Sequence, residues 1–259
     1  MMSHRKRIYL IGGLGNNLFQ VEKSLSSLDS RVDLVTNLIE DSWYSRLFGW
    51  TYHKETVTQL SFRNEISFTR LNTLLVLFHL CLLFFSKRIN TSFLGVSWNS
   101  KELTRVNFGY WQSSNSKSEI TFRLRMNTNV EVNQLPVVHA RLGDSPTLHS
   151  DLRAQLDLML ELNFEKYLVI TNDKDSFIEY TRNLDLKFDV YQRTVSEDLF
   201  TLLSAKTLII PRSTFSLCAS LMSANLKVLY VDRNYWLSNR RDLGDVLIKY
   251  YPEKDLSLD

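Results

Sequence analysis

The chain has 259 residues, of which 44% are hydrophobic, and a net charge of only +3. That is enough apolar material for one large or two modest packed domains, and it excludes a disordered or collagen-like chain. The slight basic excess suits an anionic nucleotide or an anionic membrane surface and is too mild to argue for nucleic acid. Two cysteines, Cys81 and Cys218, do not make a disulfide framework or a zinc site, so a reducing cytoplasm is the expected compartment. Residues 1–7 are basic and the apolar run after them breaks at Gly12, which does not match a secretory signal.

In chain order, Ile8-Tyr9-Leu10-Ile11 predicts a strand that runs into a glycine turn, Gly12-Gly13-Leu14-Gly15, and a helix over about 16–28. Val32-Asp33-Leu34-Val35 is a second strand. Beyond Thr36 the pattern weakens, and residues 59–70 read as strand or loop. Residues 71–85 form an apolar run flanked by Arg70, Lys87 and Arg88. It is shorter than the roughly 20 residues of a membrane-spanning helix. It is expected to be a buried helix with His79 hydrogen-bonded in the core, with shallow membrane contact as the alternative. A polar stretch over 127–134 marks the expected domain boundary.

The carboxyl half alternates strand and helix signals. Val137-Val138 is followed by a helical face of Leu152, Leu156, Met159 and Leu160, and Tyr167-Leu168-Val169-Ile170 by a helix over 177–181. Next come Phe188-Asp189-Val190-Tyr191 and a capping-box pair, Thr194 and Glu197, ahead of a Leu199-Leu202-Leu203 face. Leu208-Ile209-Ile210 and Val228-Leu229-Tyr230-Val231 flank the last helix of the series, and residues 252–259 look like a fraying tail. Continuous apolar strands separated by helices predict a parallel sheet covered on both faces, hence an α/β fold.

In such sheets ligands collect beyond the carboxyl ends of strands. The segment His139-Ala140-Arg141-Leu142-Gly143-Asp144 sits at one such end. It carries a ring donor, a turn glycine and a guanidinium whose planar fork of donors suits a phosphate. Alone, the same residues also describe a surface turn with a solvated arginine. Ser213-Thr214 follows another strand, where a hydroxyl can cap the next helix while backbone amides face an anion. Asp173 ends a third strand. It reads as a helix cap or, with Asp175, as a D-x-D pair able to hold Mg²⁺ or Mn²⁺.

Five segments occur in order: G-G-L-G-N-N-L-F-Q from Gly12, G-Y-W-Q-S from Gly109, H-A-R-L-G-D from His139, T-N-D ending at Asp173, and S-T-F-S from Ser213. Together they resemble the α-1,2-fucosyltransferase family, with its G-G-L-G-N-Q-x-F-Q, G-Y-x-Q-S, H-x-R-R-G-D, S-D-D and S-S/T-F-S. The resemblance extends over almost the whole chain. The chain departs from that pattern at Asn17 (usually Gln), Leu142 (a second Arg), Asn172 (Asp) and Leu217-Cys218 (often paired tryptophans). Related protein O-fucosyltransferases carry an aliphatic residue after the first arginine, so Leu142 is compatible with transfer.

The resemblance implies a GT-B-like fold, two Rossmann-like domains facing a cleft, with 1–132 on the acceptor side and 133–259 holding the GDP-sugar. The implied activity is inverting transfer of L-fucose from GDP-fucose to a glycan hydroxyl, in an α-1,2 linkage, within bacterial surface polysaccharide or O-antigen synthesis. Donor contacts fall to Gly13, Gly15, Asn16, His139, Arg141, Asp173, Ser213, Thr214 and Phe215, with Asp173 and His139 on the guanine. Arg141 is also the catalytic cation, Asp144 and His149 are candidate bases, and Trp111 and Gln112 are candidate acceptor contacts. No metal and no further cofactor is expected. Expected partners are the GDP-sugar and a glycan acceptor, lipid-linked in such a pathway. Peripheral contact at the inner face of the plasma membrane stays the alternative for the apolar run, and no nucleic acid is expected. Alternatives are a related donor such as GDP-colitose, a non-catalytic glycan-binding descendant, or a nicotinamide-dependent oxidoreductase. Against the last, Leu18 stands at the third glycine of the dinucleotide fingerprint and no acidic ribose partner ends the next strand.

Overall fold

The computed structural model describes residues 6–11, 14–25, 32–38, 67–89, 94, 96–98, 106–108, 131–142, 148–232 and 245–251. The chain divides into two compact units, Met1–Leu124 and Arg125–Asp259. The described end of the polar stretch 127–134 is tied to the carboxyl unit. Asn133 donates its amide to the Ser204 carbonyl at 2.9 Å, and the Lys206 ammonium donates to the Gln134 side chain at 2.8 Å.

The amino unit contains β1 (Lys6–Tyr9), α1 (Leu14–Leu25), β2 (Val32–Val35), β3 (Ser67–Thr69), α2 (Thr73–Ile89), β4 (Val96–Trp98) and β5 (Val106–Phe108). Its five strands are ordered β3-β2-β1-β5-β4, and every pair is parallel. Tyr9, Ile11, Val35, Val76, Leu80 and Leu83 meet in one apolar cluster between sheet and helix. Within it the Tyr9 hydroxyl and His79 Nδ1 share a buried 2.8 Å hydrogen bond, the core role expected of that histidine.

α2 is longer than the expected run and only half buried. Val76, His79, Leu80, Leu82 and Leu83 pack inward, while Leu74, Phe78, Phe84 and Phe85 remain 50% or more exposed. The expectation of a buried helix therefore holds for one face. A helix apolar all round needs cover all round, and this one has a single sheet beneath it.

The carboxyl unit alternates strand and helix as far as β10: β6 (Val137–Ala140), α3 (Leu148–Leu162), β7 (Tyr167–Thr171), α4 (Lys174–Thr181), β8 (Phe188–Tyr191), α5 (Val195–Ser204), β9 (Thr207–Ile210), α6 (Thr214–Met222) and β10 (Val228–Asp232), with β11 (Leu247–Tyr251) the next described element. The sheet order is β11-β10-β9-β6-β7-β8, all parallel. Counted within the unit this is the doubly wound order 3-2-1-4-5-6. β6 and β7 are buried throughout, as strands covered on both faces must be. The protein is thus α/β, with two parallel sheets and, among the described residues, six helices, a layout consistent with two Rossmann-like domains.

One expectation needs correction, and one strand lies outside the expected series. On α3, Leu152, Leu156 and Met159 face the core, but Leu160 is 40% exposed and Leu158 takes its place. β11 carries no sequence signal of the expected kind. It is an edge strand paired only to β10, with just its last residue, Tyr251, buried.

Candidate functional site

The strand order of the carboxyl sheet reverses between β6 and β9, which pair through Val137 with Leu208 and Val138 with Ile209. The connections leaving two such strands run to opposite faces of the sheet and open a crevice beyond their carboxyl ends. His139 and Arg141 leave β6 at that point, and Pro211, Arg212 and Ser213 leave β9. The rings of His139 and Phe215 meet edge to face at 5.8 Å, tying the end of β6 to the first turn of α6. His139 is buried, and Arg141, Thr214 and Phe215 are half-buried.

Ser213 is the N-cap of α6, with extended φ −126° and ψ 125°. Serine at that position ordinarily caps the helix with its hydroxyl. Here the hydroxyl makes no cap hydrogen bond, and although Ser213 is only 1% exposed its Oγ has no partner among the described residues. The Ser213 amide donates back to the Pro211 carbonyl at 2.7 Å, and its carbonyl accepts the first helical bond, from Leu217, at 3.1 Å. A buried hydroxyl without a partner costs about 1–3 kcal/mol, and first-turn amides have no acceptor inside their own helix. Both features suit an anion at the start of α6.

The crevice is held from behind by polar side chains that the sequence does not advertise. Asn172 accepts from the Leu142 amide at 2.7 Å and donates to the Leu142 carbonyl, so one side chain holds both backbone groups of one residue. Leu142 itself is 1% exposed within the main apolar cluster, which explains an aliphatic residue beside Arg141. Gln155 donates to the His139 carbonyl at 3.1 Å, and the Tyr251 hydroxyl donates to the Ile210 carbonyl at 2.6 Å. Gln155 could have been suspected as a polar residue on the apolar face of α3. Tyr251 gave no such signal. Arg212, exposed in the β9–α6 connection, is a further cation at this end of the sheet.

Asp173 is the N-cap of α4. Its Oδ1 accepts from the Ser176 amide at 3.1 Å and its Oδ2 from the Ser176 hydroxyl at 2.7 Å. These bonds, the hydroxyl's first, hold its carboxyl below the ordinary aspartate value. Each oxygen retains a further lone pair. Among the described residues no group of three or more His, Cys, Asp or Glu is placed to hold a metal ion.

Gly15 and Asn16 lie in the first turn of α1, in the amino unit. Asn17 and Gln20, both buried, tie α1 to Ile11 beyond β1: Gln20 accepts from its amide at 3.0 Å, and Asn17 and Gln20 donate to its carbonyl at 3.0 and 3.2 Å. The backbone at His149 is in α3, but its side chain lies outside the described residues. So do Gly13, Trp111, Gln112 and Asp144, and with them the expected acceptor contacts and one candidate base. No family model, no curated protein and no solved structure matches the chain.

Proposed function

We propose that the chain is an inverting sugar-nucleotide transferase of GT-B-like architecture that moves L-fucose from GDP-fucose to a glycan hydroxyl. The observation that carries this reading is at the switch point of the carboxyl sheet, where Arg141 follows β6 and, after β9, α6 starts on a buried Ser213 hydroxyl that has no partner among the described residues. An arginine and a helix start together suit a diphosphate. The order of motifs resembling the α-1,2-fucosyltransferases narrows that diphosphate to a GDP-sugar.

In this mechanism the acceptor oxygen attacks the anomeric carbon from the face opposite the leaving group, and the bond from that carbon to the β-phosphate oxygen breaks. GDP departs with the electron pair, so negative charge grows on the β-phosphate. Arg141 and the Thr214 and Phe215 amide region stabilise that charge more in the transition state than in the ground state. The acceptor proton passes to Asp144 or His149. The resemblance assigns Asp173 and His139 to the guanine, Gly13, Gly15 and Asn16 to the donor, and Trp111 and Gln112 to the acceptor.

Thermal denaturation of the whole chain with GDP, UDP, dTDP or NAD tests the reading, because a ligand that binds only the folded state raises its stability. GDP should raise the melting temperature most. A response to NAD alone would replace the reading with an oxidoreductase. A GDP response without turnover of GDP-fucose or GDP-colitose would point to a non-catalytic descendant.

A further inference from the structure

The outer face of α2 is the largest feature the transferase reading leaves unused. Leu74, Phe78, Cys81 and Phe85 recur at spacings of four, three and four, which places them within an arc of roughly 60° at 3.6 residues per turn. Leu74 is 77% exposed, Phe78 55% and Phe85 50%. Cys81 is exposed between them, and Leu75 and Phe84, at 37% and 62%, widen the stripe on either side. The opposite face packs in the apolar cluster of the amino sheet through Val76, Leu80 and Leu83, while the stripe stays exposed.

Its charges say what covers it. Arg70 precedes the helix, Lys87 and Arg88 end it, and all three are exposed. Arg88 continues the line of Leu74 and Phe85 by one further turn. Between Glu65 and Glu102 the sequence contains no acidic residue at all. A second copy docked on this face would set these cations against one another: Arg70 against Arg88 if the helices ran antiparallel, Arg88 against Arg88 if parallel. No carboxylate on the segment relieves either arrangement. A layer of anionic headgroups over hydrocarbon complements both the stripe and its basic ends. At about 26 Å, from 1.5 Å per residue, the helix is shorter than the hydrocarbon core of roughly 30 Å. No helix among the described residues is long and apolar enough to cross a membrane.

We infer that α2 lies in the surface of an anionic lipid bilayer, its axis parallel to the membrane, with Leu74, Phe78, Phe84 and Phe85 among the acyl-chain ends and Arg70 and Arg88 at the headgroups. This does not depend on which donor the carboxyl unit takes, since GDP binding is read separately.

Flotation of the full chain with vesicles of phosphatidylglycerol and phosphatidylcholine, against phosphatidylcholine alone, tests it. Binding to the anionic vesicles should be at least tenfold tighter and should fall with added salt. Phe78→Ser with Phe84→Ser should lower it about tenfold or more. Arg70→Gln with Arg88→Gln should cost about fivefold per cation removed. Both double variants should keep the parent's melting temperature and its response to GDP. An environment-sensitive fluorophore on Cys81, the exposed thiol, reports without altering the stripe's large side chains, because Cys218 is buried. Its emission should shift to the blue on adding anionic vesicles. An unshifted emission, undiminished flotation of Phe78→Ser/Phe84→Ser, or a lipid-free dimer in sedimentation velocity that the same pair of changes dissolves would each overturn the inference.

Discussion

Asn172 holds the Leu142 backbone by accepting from its amide and donating to its carbonyl at once, which no carboxylate can do. The asparagine that breaks the resembled motif therefore has a mechanical reason, and it sits one peptide from Arg141. Asn172→Asp would set an acceptor against the Leu142 carbonyl, and a loss of about 1 kcal/mol is expected, read as a lowered midpoint in denaturant. Ser213 makes the opposite case. Ser213→Ala removes a buried hydroxyl that has no partner among the described residues, so stability should hold or rise by up to about 1 kcal/mol while the stabilisation by GDP shrinks. A stability loss with the GDP response intact would mean that the hydroxyl serves the fold. Arg141→Ala should cut transfer about a hundredfold or more with the melting temperature little changed, and Arg141→Lys should recover little, since a point charge lacks the planar fork. Full activity in folded Arg141→Ala protein would remove that residue from the mechanism. At this scale the sequence shows which residues stand where ligands collect, because Arg141 and Ser213 follow strand ends. It hides those that hold them, because Gln155, Asn172 and Tyr251 act on backbone groups brought near only by folding.

The helices of the carboxyl unit start on side chains of different kinds. Thr194 and Glu197 form the capping box their spacing predicts, with Thr194 accepting from the Glu197 amide and Glu197 accepting from the Thr194 amide and hydroxyl. Asp173 caps α4 through Ser176. Both carboxyls are held below their ordinary values, first by a hydroxyl and then by an amide. A folded-state pKa below the unfolded one means that these contributions are complete above the ordinary carboxylate range and disappear as pH falls through the lowered folded values. Asp173→Asn and Glu197→Gln keep an acceptor but do not titrate, so each should lose less stability on acidification than the parent does over that window. Denaturant titrations at neutral and acid pH decide it, and parallel losses would sink the linkage. The same scale explains which strands are legible. β6, β7, β9 and β10 are continuous apolar runs because helices cover both faces of the sheet. β4 and β5 are three residues long with a polar centre: Ser97 donates to the Asn107 side chain at 3.0 Å, and Asn107 donates to the Arg7 carbonyl at 3.0 Å. A strand that buries amides in place of methyls leaves no hydrophobic period to find.

The two units differ in how completely they state themselves. The carboxyl unit has a six-stranded sheet whose first five strands in chain order alternate with helices, and its own apolar cluster running from Val138 and Leu152 through Phe177 to Tyr230 and Tyr251. The amino sheet keeps the order β3-β2-β1 on one side, but β5 rather than β4 lies next to β1. No periodicity along the chain encodes that exchange. Transfer by the whole protein should persist in excess EDTA, because Arg141 supplies the fixed positive charge. Loss that Mg²⁺ or Mn²⁺ restores would instead assign Asp173 and Asp175 to a metal. A stronger test divides the molecule. Residues 125–259 hold Arg141, Ser213 and Asp173 together with every strand that positions them. Expressed alone, this unit should therefore unfold in one cooperative step and be stabilised by GDP, by about 2.7 kcal/mol at a hundredfold excess over Kd. NAD should leave it unchanged, and fucose transfer should be absent, since the acceptor contacts expected at Trp111 and Gln112 belong to the other unit. A folded fragment indifferent to GDP, beside a whole chain that responds, would move the donor site to the glycine turn before α1.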